Sequence, residues 1–545
     1  MSFVDNPVLQ RELLTNLRAP RAFVLLLVYQ LVLAAVVAIA YPRDTRIDLT
    51  RESASAQRLV EFFFVGQFAI ASLMAPSFTA GAITGEKERK TYEMLLASPL
   101  RPWRIVAGKL IAALTHLVVL IIASLPIIML SLPLGGVSIY ELLAAYVGLL
   151  FSIFLFGSIS VFCSSYFKRT SSSLVVSYVF ILPLLLIGIF AWSALESNAE
   201  LRLVICLTLV PLFCTLVSLV LLAVAANRLL YPPDIGSQGN EVVDLEQEQR
   251  EAVGLVIQRD QFPDNLFAPP RRKSLMRDDA NPVYDKEMHA ELFSQGTLML
   301  RLVIQLSMIL AIPLMTIQLF WRPNLASYYV SYVLIFNILT APVFTAGTIT
   351  GERERQTLDL LLTTTISSWQ ILWGKLVSGY RVSAVLTAFI MFPMVLACIN
   401  PELARNWPAM IAFFGICIVA SVFNSVLSLF VSTLVRRTST SLMVCYVTLL
   451  VLYLLPIALY FLIWSSATRD MNLENLEFIG VSSPLMAAEY VPMTDVISGV
   501  STARAKVGSW PLVAAYFAFS ITAACGLFAL TVWLFQGRWR LTGRG

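Results

Sequence analysis

Charge is what this sequence is poorest in. Of its 545 residues, 13% are Asp, Glu, Lys or Arg, against 58% hydrophobic. Soluble domains carry about 25% charged residues, so this chain has too little polar surface to stay in water and reads as an integral membrane protein. Histidine is nearly absent: His116 and His289 are too few for a metal cluster or a Ser-His-Asp arrangement. The seven cysteines, Cys163, Cys206, Cys214, Cys398, Cys417, Cys445 and Cys525, all lie in apolar runs with no C-x-x-C. They give neither a zinc nor a disulfide framework and read as small core residues. There is no Gly-x-x-x-x-Gly-Lys-Ser/Thr. Gly108-Lys109-Leu110 and Gly374-Lys375-Leu376 lack the upstream glycine and the magnesium-binding hydroxyl, so ATP binding by a P-loop is not expected. No carboxylate pair sits inside an apolar run, which argues against an integral enzyme, and no cofactor is expected in this chain. The net charge of +5 is small and suggests loop asymmetry rather than a nucleic-acid surface.

What is present is a series of apolar runs near the length of about 20 residues that crosses a bilayer. Twelve are expected to be helices, at 22–41, 59–83, 105–131, 140–164, 172–193 and 201–227, then 298–320, 327–350, 371–399, 408–434, 442–464 and 511–535. Unpaired backbone is not tolerated in lipid, and barrel-strand alternation is absent, so the expected fold class is all-α. The first run is long for a signal core and reads as a retained span, despite the small-x-small match at Ala38-Ile39-Ala40. Lys and Arg concentrate in alternate loops, which puts both termini in the cytoplasm of an inner (plasma) membrane protein.

The chain repeats itself. Ala75-Pro-Ser-Phe-Thr-Ala-Gly-Ala-Ile-Thr-Gly-Glu86-Lys-Glu-Arg-Lys-Thr91 returns 266 positions later as Ala341-Pro-Val-Phe-Thr-Ala-Gly-Thr-Ile-Thr-Gly-Glu352-Arg-Glu-Arg-Gln-Thr357. Asn6-Pro-Val8 returns as Asn281-Pro-Val283, and Lys168-Arg-Thr-Ser as Arg436-Arg-Thr-Ser. Six spans per half is an even number, so the two six-helix repeats are parallel, related by an axis along the membrane normal. The expected division is a first half at 1–230, a polar cytoplasmic linker at 231–280 and a second half at 281–545. Each half opens with an amphipathic interfacial helix; Leu9, Leu13 and Leu17 mark the first. A long external loop at 465–510 has only a short counterpart at 194–200, and its 479–491 stretch is apolar enough to dip into the interface.

Polar residues inside spans mark pathways by default; here they are few. Gln67, His116, Asn337, Arg381 and Asn424 are the candidates, with His116 equally readable as a packed neutral imidazole and Arg381 as a residue snorkelling to the interface. None provides the acids of an ion-coupled carrier, so energy for uphill transport would come from a partner. The charged repeat loops are the candidate meeting place. Glu86, Glu88 and Arg89 precede Thr91, which is expected to N-cap a short helix with Glu93 in its first turn. Tyr92, Met94, Leu95 and Leu96 give that helix an apolar face. Glu352, Glu354, Arg355, Thr357, Leu358, Asp359, Leu360, Leu361 and Leu362 repeat the arrangement. A short apolar helix rimmed by charge suits a groove on another protein, or the lipid interface.

The run Gly85-Glu86-Lys-Glu-Arg-Lys-Thr91-Tyr-Glu-Met-Leu-Leu-Ala-Ser98-Pro99-Leu100, followed by Trp103 and Gly108-Lys109, resembles the cytoplasmic signature of ATP-binding-cassette (ABC) transporter permeases of the type-2, exporter-like class. The Asn-Pro-Val opening and the Lys-Arg-Thr-Ser step support it, and the resemblance covers both halves. It implies a tandem fusion of two permease halves, coupling helices at 91–96 and 357–362, and a separate cytoplasmic ABC ATPase, in two copies, that carries ATP and magnesium. It also implies export. In the second copy Ser98-Pro99-Leu100 becomes Thr364-Thr365-Ile366, so the two docking loops are not expected to be identical. The expected function is therefore the permease subunit of an ATP-driven exporter embedded in lipid, working by alternating access or pathway opening at the interface of its halves. A stand-alone carrier or channel, or a non-transporting membrane scaffold, is the alternative.

Overall fold

The computed structural model describes residues 10, 30–31, 34, 49–88, 90–129, 138–167, 170–194, 199–230, 281–289, 308, 311–313, 315–316, 326–466, 476–492 and 509–542. Among them there is no strand. In the first half come α1 (Leu49–Thr79), α2 (Gly81–Glu88), α3 (Tyr92–Leu96), α4 (Pro102–Met129), α5 (Ile139–Tyr166), α6 (Thr170–Ala194), α7 (Ala199–Val204) and, after a π-helical turn at Ile205–Leu209, α8 (Val210–Leu230). The second half has α9 (Pro282–His289), α10 (Ala326–Thr345), α11 (Thr348–Glu354), α12 (Leu358–Leu362), α13 (Ser368–Ala397), α14 (Pro401–Arg405), α15 (Trp407–Leu434), α16 (Thr438–Ser466), a 3₁₀ turn at Leu476–Ser482, α17 (Pro484–Glu489) and α18 (Trp510–Thr542).

Nine described helices are long and apolar enough to cross a membrane. The tenth expected span is α6, whose apolar described stretch is the shorter Ser172–Leu185. The spans expected at 22–41 and 298–320 lie outside the described residues, apart from the few positions already named. The linker at 231–280 and most of the first amphipathic opener also lie outside them. The second opener is α9, but it does not only lie on an interface. It packs on α13, and Val283 joins a buried cluster with Ile349, Ile371 and Leu372.

Within lipid, helices associate through close packing and hydrogen bonds, since the tails are as apolar as leucine. In the first half α1 packs on α4, α5 and α6, and α8 lies along α5 and α4. In the second, α15 is central, against α10, α13, α16 and α18. The halves meet through α1 on α16 and α6 on α10, so each half offers its second and fifth spans. At this seam Tyr178 and Tyr446, equivalent by the repeat, meet edge to face with ring centroids 5.5 Å apart. Their hydroxyls donate to the carbonyls of Leu73 (2.8 Å) and Leu339 (2.7 Å).

The second span of each half is broken. Pro76 and Pro342 lie inside α1 and α10, and each helix stops three residues later before resuming as α2 or α11. A restarted helix has first-turn N–H groups with no partner of its own, and here they are fully buried at Ile83, Thr84, Ile349 and Thr350. A serine on the fourth span satisfies them. The Ser164 hydroxyl accepts from the N–H groups of Ile83 (3.1 Å) and Thr84 (2.9 Å); the Ser432 hydroxyl accepts from Ile349 (3.1 Å) and Thr350 (3.2 Å). Replacing either serine orphans two buried donors, at about 1–3 kcal/mol for an unmade bond. Ser164→Ala and Ser432→Ala should each lower the thermal midpoint of the purified chain, whereas Thr522→Ala, at an exposed position, should leave it unchanged.

Candidate functional site

The broken spans deliver both charged loops to one end of the bundle, and there Glu86, Lys87 and Glu88, and Glu352, Arg353 and Glu354, each have a partner. Lys87 donates to the carbonyls of Ser164 (3.3 Å), Ser165 (2.7 Å) and Phe167 (3.0 Å), closing the C-terminus of α5, where a cation is favoured by the helix dipole. Arg353 does the same for α15 through Thr433 (2.8 Å) and Val435 (2.7 Å). Glu88 accepts from the Thr170 N–H at 2.8 Å and Glu354 from the Thr438 N–H at 3.0 Å, each capping the start of the fifth span with the sign a helix N-terminus prefers. Glu86 pairs with buried Lys109 at 2.9 Å. Glu352 pairs with buried Lys375 at 3.1 Å, and Lys375 also holds Glu287 of α9 at 2.8 Å. The charges therefore bind the loop to its own bundle instead of forming only a rim around it.

The threonines do not act as the expected side-chain caps. Neither Thr91 nor Thr357 accepts a capping bond. Both residues have helical rather than extended backbone, and both hydroxyls point back and donate to the carboxylates of Glu86 and Glu352. Lys90 and Gln356, one residue earlier, take φ of 57°. This left-handed step, uncommon for a side-chain-bearing residue, turns the chain into α3 and α12.

The apolar face of each short helix is also smaller than its composition suggests. Tyr92 is buried, with the Lys87 ammonium 5.6 Å from its ring centroid, and burial pushes its phenol above the ordinary value. Leu96 packs on the large cluster to which both halves contribute; Leu358, Leu361 and Leu362 pack on a smaller cluster within the second half. Leu95 is half-buried. What stays in the open is Met94, 76% exposed, and Leu360, 69% exposed, each beside an exposed acid, Glu93 or Asp359. Arg355 is exposed, and Arg89 lies outside the described residues. Beside α12, Trp369 and Trp373 stack 6.0 Å apart, with the Phe528 edge 4.9 Å from Trp369.

The polar residues inside the spans bond within their own halves. Asn337 donates to Thr387 (2.9 Å) and Ser421 (3.0 Å) and accepts from Asn424 (2.9 Å); Tyr453 donates to Asn424 at 2.6 Å. These five join four helices of the second half. Gln67 donates to Ser124, which also bonds Tyr146 at 2.8 Å, joining three helices of the first. His116 is half-buried, its ring 6.1 Å from Phe78. The Arg381 guanidinium reaches the Tyr284 hydroxyl at 3.5 Å. Sequence reasoning missed Lys109, Lys375, Glu287, Ser164 and Ser432 as site residues. The recurrence of Gly-Lys-Leu and of the Ser164/Ser432 pair was the available signal.

Long apolar helices, with no strand among the described residues, make this a multi-pass integral membrane protein. The family model described as "ABC-2 family transporter protein" matches residues 7–203 and again 196–538. The chain belongs to that family and carries it twice, as a tandem permease of the ABC-transporter class. No curated protein matches the chain.

The two ion-pair sites differ in depth, and that difference is measurable. Lys109 and Lys375 are 4% and 2% exposed, but Glu86, which pairs with Lys109, is 30% exposed where Glu352, which pairs with Lys375, is 13%. Removing one member of a buried pair costs about 3–5 kcal/mol, and less where water reaches the other. Lys375→Met should raise amide hydrogen exchange across 352–362 and lower the thermal midpoint, by more than Lys109→Met does for 86–96.

Proposed function

We propose that the chain is a two-half permease of an ATP-driven exporter in the inner (plasma) membrane, with the charged loops and both termini in the cytoplasm. Its halves span 1–230 and 281–545, joined by a cytoplasmic linker at 231–280. Two copies of an ABC ATPase, bringing ATP and magnesium, dock on α3 and α12. The observation that supports this most is the repeated exposure of one large apolar side chain, Met94 or Leu360, on a five-residue helix otherwise tied to the bundle. Such a knob beside an acid suits a groove with a basic rim.

Force on either knob has a short route into the spans. It passes through the pairs Glu86–Lys109 and Glu352–Lys375 to α4 and α13, and through Lys87 and Arg353 to α5 and α15. When ATP draws the two ATPases together, the halves rock about the α1–α16 and α6–α10 contacts, and Tyr178 and Tyr446 separate to open a pathway between them. The polar clusters at Gln67 and at Asn337–Asn424 hold each half rigid during that motion.

The test uses the ABC ATPase that co-purifies with the intact chain. Burying a Met or Leu contributes about 1.5–3 kcal/mol, so Met94→Asp and Leu360→Asp should each weaken association about tenfold or more. The double variant should lose it, with the permease still eluting as a folded particle. Association undiminished in the double variant refutes docking at these helices.

A further inference from the structure

The last span of the first half, α8, packs along α5 and α4. On its open side Leu216, Val220 and Val224 are exposed at a spacing of four residues, a stripe that a spanning helix turns to lipid. Arg228 is the next position in that series. Its guanidinium lies over the Tyr166 ring, 4.8 Å from the centroid, and its Nε is shielded from solvent with no hydrogen-bond partner. Among the described residues no carboxylate pairs with Arg228 and no acceptor takes its N–H groups.

Stacking on a ring uses only the face of a guanidinium. Its N–H donors point outward in the plane and stay available to oxygen. Two phenols share this corner. Tyr166 is exposed, and Tyr92, the first residue of α3, lies within the field of the Arg228 charge. Neither hydroxyl is hydrogen-bonded to a described residue. A helix C-terminus ordinarily repels an anion, but Lys87 already covers the last carbonyls of α5. In the second half Tyr92 and Tyr166 become Leu358 and Leu434, and Leu358 packs on a cluster that contains Phe535. A belt of interfacial aromatics would suit either half, whereas these phenols occur only beside Arg228.

We propose that Arg228, Tyr166 and Tyr92 bind the phosphate of an anionic phospholipid whose acyl chains lie along Leu216, Val220 and Val224. The in-plane donors of Arg228 match two phosphate oxygens, and the phenols donate to the same group. An arginine with no carboxylate beside it leaves its charge to the ligand. That favours a head of net negative charge over one that carries its own ammonium. The apolar stripe leading to Arg228 selects a lipid over free phosphate. The bound head would join the ends of α5 and α8 to the start of α3. Its binding needs no ATPase, so the outcome is independent of docking at α3 and α12.

The probe is phosphatidylglycerol with a diazirine near the top of one acyl chain, added to the full chain in phosphatidylcholine nanodiscs, with crosslinks mapped by peptide mass spectrometry. Labelling should fall in 162–166 and 216–228. A phosphatidylcholine probe with the same diazirine should label these peptides about tenfold less, and inorganic phosphate in the buffer should not compete. Arg228→Met should lower phosphatidylglycerol labelling about tenfold, the loss of a charge-assisted contact. Arg437→Met, at an exposed arginine of the second half, should leave it unchanged. The double variant Tyr92→Phe, Tyr166→Phe keeps both rings and should lower it about threefold or more. Equal labelling by the two probes, or suppression by inorganic phosphate, overturns the proposal on the unaltered chain. Undiminished labelling in folded Arg228→Met or double-Phe variants overturns it as well, and so does an equal loss in Arg437→Met.

Discussion

A helix that breaks inside a membrane bundle must find partners for the amides it frees, and in this protein that need organises the loop that follows. The prolines in the second spans stop α1 and α10. The restarted turns present N–H groups where water does not reach. Ser164 and Ser432, on the fourth spans, accept them in pairs. That fixes α2 and α11 against α5 and α15, and the next residues inherit the placement. Lys87 and Arg353 reach the C-terminal carbonyls of the helices that carry the serines. Glu88 and Glu354 reach the N-termini of the helices after them. Two adjacent motif residues thus hold two different elements.

The buried lysines extend the same logic. A charge this far from water persists only if paired and hydrogen-bonded. Lys109 has Glu86 and Lys375 has Glu352 and Glu287. The carboxylates are in turn bonded by Thr91 and Thr357, which start the short helices. The side chains of Glu86, Lys87 and Glu88, and of Glu352, Arg353 and Glu354, are spent on the bundle, and of the apolar side chains on the short helices Met94 and Leu360 are left exposed. Their exposure follows from the anchoring of everything around them.

Much of this was legible in the sequence. Spans of about 20 apolar residues and a repeated motif gave the class, the parallel tandem and the location of the loops, because length in lipid and identity at fixed spacing are strong constraints. The roles inside the motif were not legible. Glu86 and Glu88 are alike in the sequence, yet one holds a lysine 23 positions on and the other an amide 82 positions on. Nor could a five-residue helix declare its exposed side. It is too short for a periodic pattern, so Leu95 and Met94 looked equivalent until tertiary contacts separated them. Threonine before an acidic first turn suggested a cap, but its backbone is already helical and its hydroxyl points back to a carboxylate five residues earlier.

Fusion of the halves explains why they could diverge. In a symmetric dimer each substitution appears twice, at both sides of the axis. Here the positions equivalent to Asn337, Thr387, Ser421, Asn424 and Tyr453 are Ala71, Ile121, Ile153, Phe156 and Leu185, so the five-residue polar cluster exists in one half only. The positions equivalent to Gln67, Ser124 and Tyr146 are Val333, Ile390 and Phe414, and the smaller cluster is confined to the other. A buried amide is tolerated only with its partners present, so each cluster had to arise as a set within one half, where no symmetry copy demanded the same change. The features kept in both halves are the break, its serine, the three charges and the tyrosine pair at the seam. Those belong to the parts that must act together. The divergent clusters and the unequal far ends lie where each half packs against itself.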